Sequence, residues 1–175
     1  MIRSSAALLL TSLSLPALAV NLDGIQDFRP NDYLGTWYQI QTTNPFFQRD
    51  CKCAKAEYAR IDETTLSVVN TCVRENGQIR TAKGTAKITN PAKPAQLLVK
   101  LSPFVFGGPN YIVTEVGTDY EYSVVVSPGN SPIWILSRTK TLPESVLSGI
   151  RLRLVQAGVR IGDLKETDPN QCPDL

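Results

Sequence analysis

Histidine is absent from the 175 residues, and that gap excludes much chemistry. No Ser-His-Asp or Cys-His site can form, no imidazole base is available, and no zinc centre can contain a histidine. Charge of one sign is missing as well. Lys and Arg number 18 against 16 Asp and Glu, a net of +2, whereas nucleic-acid binding needs a basic patch that releases counterions. No nucleic-acid partner is expected. Long apolar runs are also lacking, and the stretch over 6–15 is too short to cross ~30 Å of hydrocarbon. Repeats, linkers and low-complexity segments are not found. What remains, 42% hydrophobic and 19% charged residues, suits one globular domain.

The first residues read as an address. Arg3, the apolar stretch over 6–15, and small Ala17 and Ala19 in Pro16-Ala17-Leu18-Ala19 form the three parts of a signal peptide. The expected division is a leader over 1–19 and a mature domain over 20–175, secreted (periplasmic if bacterial). No cysteine follows the cleavage point directly, so lipid attachment there is not available. Export gives Cys51, Cys53, Cys72 and Cys172 a meaning. An even count in an oxidising compartment reads as two disulfides, with three connectivities open. Cys51-Lys52-Cys53 lacks the C-x-x-C spacing of a metal or redox element, so no metal and no cofactor is expected. Cys51 and Cys53 are also poor partners for each other, because alternate strand residues stand side by side on one face.

From Gly35 onward, short β-type runs alternate with turn residues. Strands are expected over 36–40, 54–60, 66–73, 79–88, 96–101, 111–116, 120–126 and 133–137. Asn76-Gly77 is a hairpin signal, and Gly107-Gly108-Pro109 and Pro128-Gly129-Asn130 separate the later runs. Eight strands without helical crossovers must pair antiparallel. Both a closed up-and-down barrel and a two-sheet sandwich accommodate them. A helix follows Pro143, with Glu144 at its positive end and an apolar stripe of Val146, Leu147, Ile150 and Leu154; Gly158 ends it.

Three motifs separate barrel from sandwich. Gly35-Thr36-Trp37-Tyr38 stands on the first strand, Asp119-Tyr120-Glu121-Tyr122 at the seventh, and Trp134-Ile135-Leu136-Ser137-Arg138 on the eighth. In this order and spacing the set resembles the lipocalins, in their bacterial and apolipoprotein D-like branch. Asn31-Asp32-Tyr33-Leu34-Gly35, Asp50-Cys51, Ala56-Glu57-Tyr58, Val68-Val69-Asn70-Thr71-Cys72 and Gln171-Cys172-Pro173 extend the likeness through the mature chain. The turn before Tyr122 is one residue shorter than in apolipoprotein D and matches the bacterial form.

The resemblance implies an all-β fold: an eight-stranded antiparallel up-and-down barrel, closed at one end, with a C-terminal α-helix on its wall. Gly35, Trp37 and Arg138 would form the floor, the guanidinium lying on the indole as a cation–π stack. Counting in twos from Arg138 places Leu136 and Trp134 on the inner face. Tyr58, Val68 and Asn70 match pocket positions of the family. Leu101, Phe104, Tyr111 and Tyr122 join them as candidate ligand contacts, and Val124 is a further one. Asn70 is the polar candidate, its alternatives being a neighbouring side chain or a trapped water. The resemblance also implies disulfides Cys51–Cys72 and Cys53–Cys172, with the exchanged pairing left open.

The implied function is carriage of one small hydrophobic molecule, such as a fatty acid, lysophospholipid, retinoid, steroid or pigment. No catalytic residues are expected. The alternatives are an isomerase-type lipocalin enzyme, which would need a free pocket thiol or placed carboxylates, and a subunit of a pigment complex. The carrier itself is expected as a monomer or weak dimer. Loops after the first, third, fifth and seventh strands would share the open end. They gather Phe46, Phe47, Phe104 and Phe106, four of the chain's five phenylalanines. Two readings follow for these rings: a lid folded over the ligand, or a transient contact with a membrane or lipid particle.

Overall fold

The computed structural model describes residues 20–43 and 45–173; the leader expected over 1–19 lies outside them. Alternating large apolar and polar side chains set the strands, because period-2 alternation gives a sheet one dry face. They are β1 (Gly35–Thr42), β2 (Cys51–Arg60), β3 (Thr65–Arg74), β4 (Ile79–Ile88), β5 (Gln96–Lys100), β6 (Tyr111–Val116), β7 (Tyr122–Val126) and β8 (Ile133–Ser137). Each pairs antiparallel with the next, and β1 pairs with both β2 and β8, which closes the sheet into a barrel. Closure leaves no long edge for another chain to extend. A helix, α1 (Glu144–Gln156), and a two-residue strand, β9 (Lys165–Glu166), follow.

Inner and outer faces bury different layers. Trp37, Tyr58, Leu66, Val68, Leu97, Val113, Val125 and Leu136 pack together inside the barrel. Ile40, Val124, Val126, Ile133 and Ile135 point outward and meet Leu147, Ile150 and Leu154 of α1. Pro143 stands at the N-cap of α1. Gly158 ends the helix with φ +78°, its N–H bonded to Val155 O at 2.9 Å.

Several boundaries differ from the alternation pattern, each for a local reason. The seventh strand begins at Tyr122 rather than at residue 120, because Tyr120 takes φ +55° and its N–H closes a turn on Gly117 O at 3.0 Å. Strand β1 runs to Thr42 through a bulge between Gln39 and Gln41. Strand β2 begins at Cys51, with a second bulge between Cys51 and Cys53. That bulge breaks the alternation, so the two cysteines do not share a face. Cys51 borders the interior, while Cys53 is buried outside with Val73 and the tail.

The structure joins Cys51 to Cys72 and Cys53 to Cys172, with Cα separations of 5.4 and 5.6 Å. They close loops of 21 and 119 residues. In the chain-entropy account such loops stabilise by ~3 and ~5 kcal/mol.

The closed end is built on Trp37, which is fully buried. Its indole N–H donates to Tyr33 O at 2.9 Å, and the Arg138 guanidinium lies 3.7 Å from the ring centroid. Arg138 also donates to Thr36 O at 2.9 Å and Asp32 O at 2.6 Å. Gly35 supplies the φ of +89° that turns the chain into β1, a conformation costly for any side chain. Trp37→Ala should lower unfolding free energy in urea by ~3–5 kcal/mol, as for other buried aromatics. A loss below ~1 kcal/mol would show that the floor does not depend on this ring.

Candidate functional site: an open apolar cavity

Above the floor the inner side chains shrink. Cross-strand register places Ala56 opposite Trp37 and Asn70, and Asn70 opposite Ala82. With Ala54 nearby, these short side chains leave a cavity of about 590 Å³ open at one end. That volume lies within the ~300–1,000 Å³ typical of small-molecule sites. Larger side chains complete the wall: Tyr58, Val99, Leu101, Tyr111, Trp134 and Leu136.

Polar groups in the wall are few and placed. Tyr111 and Trp134 stack with centroids 6.2 Å apart. The Trp134 indole N–H donates to Gln48 Oε1 at 2.9 Å, which ties the short 3-10 turn Phe46–Gln48 to the rim. Below, the Tyr33 hydroxyl meets Tyr111 at 2.8 Å and Ser123 at 3.0 Å. Burial pushes the Tyr33 pKa up to about 12 and raises those of Tyr58 and Tyr111. These phenols are therefore neutral hydrogen-bonding groups at physiological pH. Asn70 Oδ1 is buried without a hydrogen-bond partner among the described residues. An unpaired buried acceptor costs ~1–3 kcal/mol, which marks this oxygen as the polar candidate of the wall.

Of the residues singled out in the sequence, Tyr58, Asn70, Leu101, Tyr111, Trp134 and Leu136 meet on the cavity wall. Four others do not. Val68 is packed into the core of the closed half and is not part of the wall. Tyr122 and Val124 face the opposite way, because Ser123 pairs with inward Leu136 and alternation turns its neighbours outward. The Tyr122 hydroxyl donates to Glu115 at 2.7 Å, under Arg153 of α1. Phe104 is 82% exposed and lies outside the cavity. Sequence reasoning passed over Gln39, the three alanines and Val105, all of which line it. The alternation Ala54-Lys55-Ala56-Glu57-Tyr58 carried the signal for two of the alanines.

Asp50, Cys51 and Cys72 come together, but both sulfurs are spent in the disulfide, so no thiolate ligand is available there.

The raised phenol pKa values set the alkaline stability. Stability from Tyr33 is full below pH ~10 and falls as pH rises through about 12. In Tyr33→Phe, the decline of unfolding free energy between pH 10 and 12 should be shallower by up to ~1.4 kcal/mol per pH unit. Parallel slopes in the two proteins would mean that this hydroxyl ionises alike folded and unfolded.

Comparison with known proteins agrees with this architecture. Residues 30–169 match the family model described as a lipocalin-like domain. Apolipoprotein D of Mus musculus is 30% identical over 158 residues, covering 86% of this chain and 82% of that protein. The outer membrane lipoprotein Blc of Escherichia coli (strain K12) is 30% identical over 144 residues, covering 82% and 80%. Among solved structures, insecticyanin of the tobacco hornworm Manduca sexta superposes with a TM-score of 0.65 at 22% identity, covering 88% of this chain and 87% of that one. Lobster apocrustacyanin A1 gives 0.63 at 22% identity, covering 78% and 77%. The structural likenesses show the same fold, and the match over 30–169 includes every barrel strand and α1. With fold, motifs and sequence in agreement, the chain belongs to the lipocalin family.

Proposed function

We propose that this protein is an exported, non-catalytic carrier that holds one small hydrophobic molecule in the barrel. The observation that carries the reading is the open apolar cavity of about 590 Å³. Affinity in such a site comes from burying ligand surface at ~25 cal/mol per Å², and a few placed polar groups orient the guest. Export rests on the leader pattern over 1–19 and fits the two disulfides. A carrier reading is favoured over catalysis because all four cysteines are paired and histidine is absent, which leaves no activated nucleophile of the Cys-His or Ser-His kind.

The family membership supports a fatty acid, lysophospholipid, retinoid, steroid or pigment as the ligand class, and a ligand that carries a hydroxyl or amide N–H could donate it to Asn70. The mouth adds a means of exchange. Phe104 and Phe106 are 82% and 80% exposed and lie outside the cavity lining, whereas Phe46 and Phe47 border it at the rim. Contact of these rings with a lipid surface would give the ligand an apolar path between surface and cavity.

Solvent extraction and mass spectrometry of the natively expressed protein test the reading: one dominant hydrophobic species is expected, and an empty cavity that also fails to bind a fluorescent fatty acid would reject it. Trp134→Ala should weaken binding of that probe while leaving most of the stability intact. Asn70→Leu should weaken a long-chain alcohol by roughly 5- to 10-fold, about one hydrogen bond, and leave the alkane of equal length within ~2-fold. Equal changes for both would deny Asn70 a polar role.

A further inference from the structure

Beside the mouth runs a second concavity, separate from the ligand cavity. It is bordered by Thr43 and Arg49 of the β1–β2 connection, Asn130 of the β7–β8 turn, and Arg160, Asp163 and Lys165 beyond α1. Strand pairing explains the convergence. Lys165 lies opposite Thr42 at the mouth end of β1, and Arg49 directly follows the turn that carries Phe46 and Phe47.

Its charge is one-sided. Arg49, Arg160 and Lys165 surround it with a single carboxylate, Asp163, in the lining. None of these cations forms an ion pair among the described residues. Elsewhere Arg29, Arg74, Arg151 and Arg153 each face a carboxylate. Of the last carbonyls of α1, Arg153 O, Leu154 O and Val155 O accept from Ala157, Val159 and Gly158. Val155, 52% exposed, lines the groove with Val159 and Ile161. Cations interleaved with apolar side chains, next to the exposed Phe46 and Phe47 rings, suit a lipid surface, whose charged headgroups lie over acyl chains.

We propose that this groove seats the headgroups of an anionic phospholipid bilayer and so fixes the mouth against the membrane. The proposal rests on the carrier reading above and adds to it the charge of the donor or acceptor surface. The Phe104 and Phe106 rings would enter the interface while Arg49, Arg160 and Lys165 engage phosphates at its plane. Lys and Arg near an anionic leaflet each strengthen attachment about 5-fold.

The test is co-sedimentation of the full chain with two vesicle types: phosphatidylcholine alone, and phosphatidylcholine with about a third phosphatidylglycerol. Wild type should favour the anionic vesicles, and the preference should shrink as salt shortens the Debye length. The triple variant Arg49→Gln/Arg160→Gln/Lys165→Gln should lose at least ~30-fold on anionic vesicles, with unchanged melting temperature and unchanged affinity for a fluorescent fatty acid. Phe104→Ser/Phe106→Ser should reduce binding to both vesicle types. Equal wild-type binding to the two vesicles, or a preference that survives the triple substitution, overturns the proposal. So does inorganic phosphate that abolishes vesicle binding beyond a chloride control of equal ionic strength, since the groove would then be a site for the free ion. Vesicle preference without fatty-acid binding would reject the carrier reading alone; fatty-acid binding without vesicle preference would reject the docking alone.

Discussion

Closing the sheet through β1 constrains the rest of the molecule. Within eight residues this strand pairs with β2 over Gly35–Tyr38, with β8 from Tyr38 to Thr42, and with β9 at Gln41 and Thr42. On the edge away from β8, β9 takes up the pairing beyond the point where β2 leaves off. The bulge at Gln39/Gln41 re-aims the backbone, so that Gln39 enters the cavity while Gln41 turns out to Arg151 of α1. At the closed end, where neighbouring strands diverge, Arg138 binds carbonyls of Asp32, Thr36 and Tyr120. One guanidinium thus ties together the turn before β1, β1 itself and the β6–β7 connection. Its planar fork of donors explains why a lysine would not do the same.

The cavity is defined by subtraction. The closed half of the barrel is filled with aromatic and branched side chains, while Ala54, Ala56 and Ala82 withdraw from the space above. Another glycine contributes from outside that row. A Cβ on Gly84 would come within 1.8 Å of Lys100 O, so glycine there is what lets β5 lie close against β4 and keep the wall continuous. Apolar walls, buried neutral phenols and an unpaired amide oxygen give a site suited to shape recognition with one oriented hydrogen bond.

Much of this was legible in the chain itself, because strand alternation and turn residues are local signals. The eight strands and the helix stripe follow from them, and the ordered motifs around Trp37, Tyr122 and Arg138 distinguished barrel from sandwich. What alternation cannot supply is register between strands. Tyr122 is a candidate cavity residue in the sequence, yet its pairing partner is Ser137 and the inward position belongs to Ser123. The Cys51/Cys53 bulge is equally silent in sequence, since an extra residue has no signature beyond its neighbours. Strand β9 is two residues long and polar, so only its partner β1 reveals it. The groove at the mouth depends on bringing residue 49 beside residues 160 and 165, a juxtaposition that only the folded chain makes.

The Cys53–Cys172 bond has a mechanical corollary. It encloses most of β2, all of β3 to β8, α1 and β9 in a single covalent ring, and leaves β1 outside. A force applied at residue 20 and at the tail therefore bypasses the ring. Only the segment from residue 20 to Cys53 can pay out, about 110 Å at full extension, and the first stave to leave is β1 with the Trp37 floor. The remaining strands stay shielded from the load until a reductant cuts the ring.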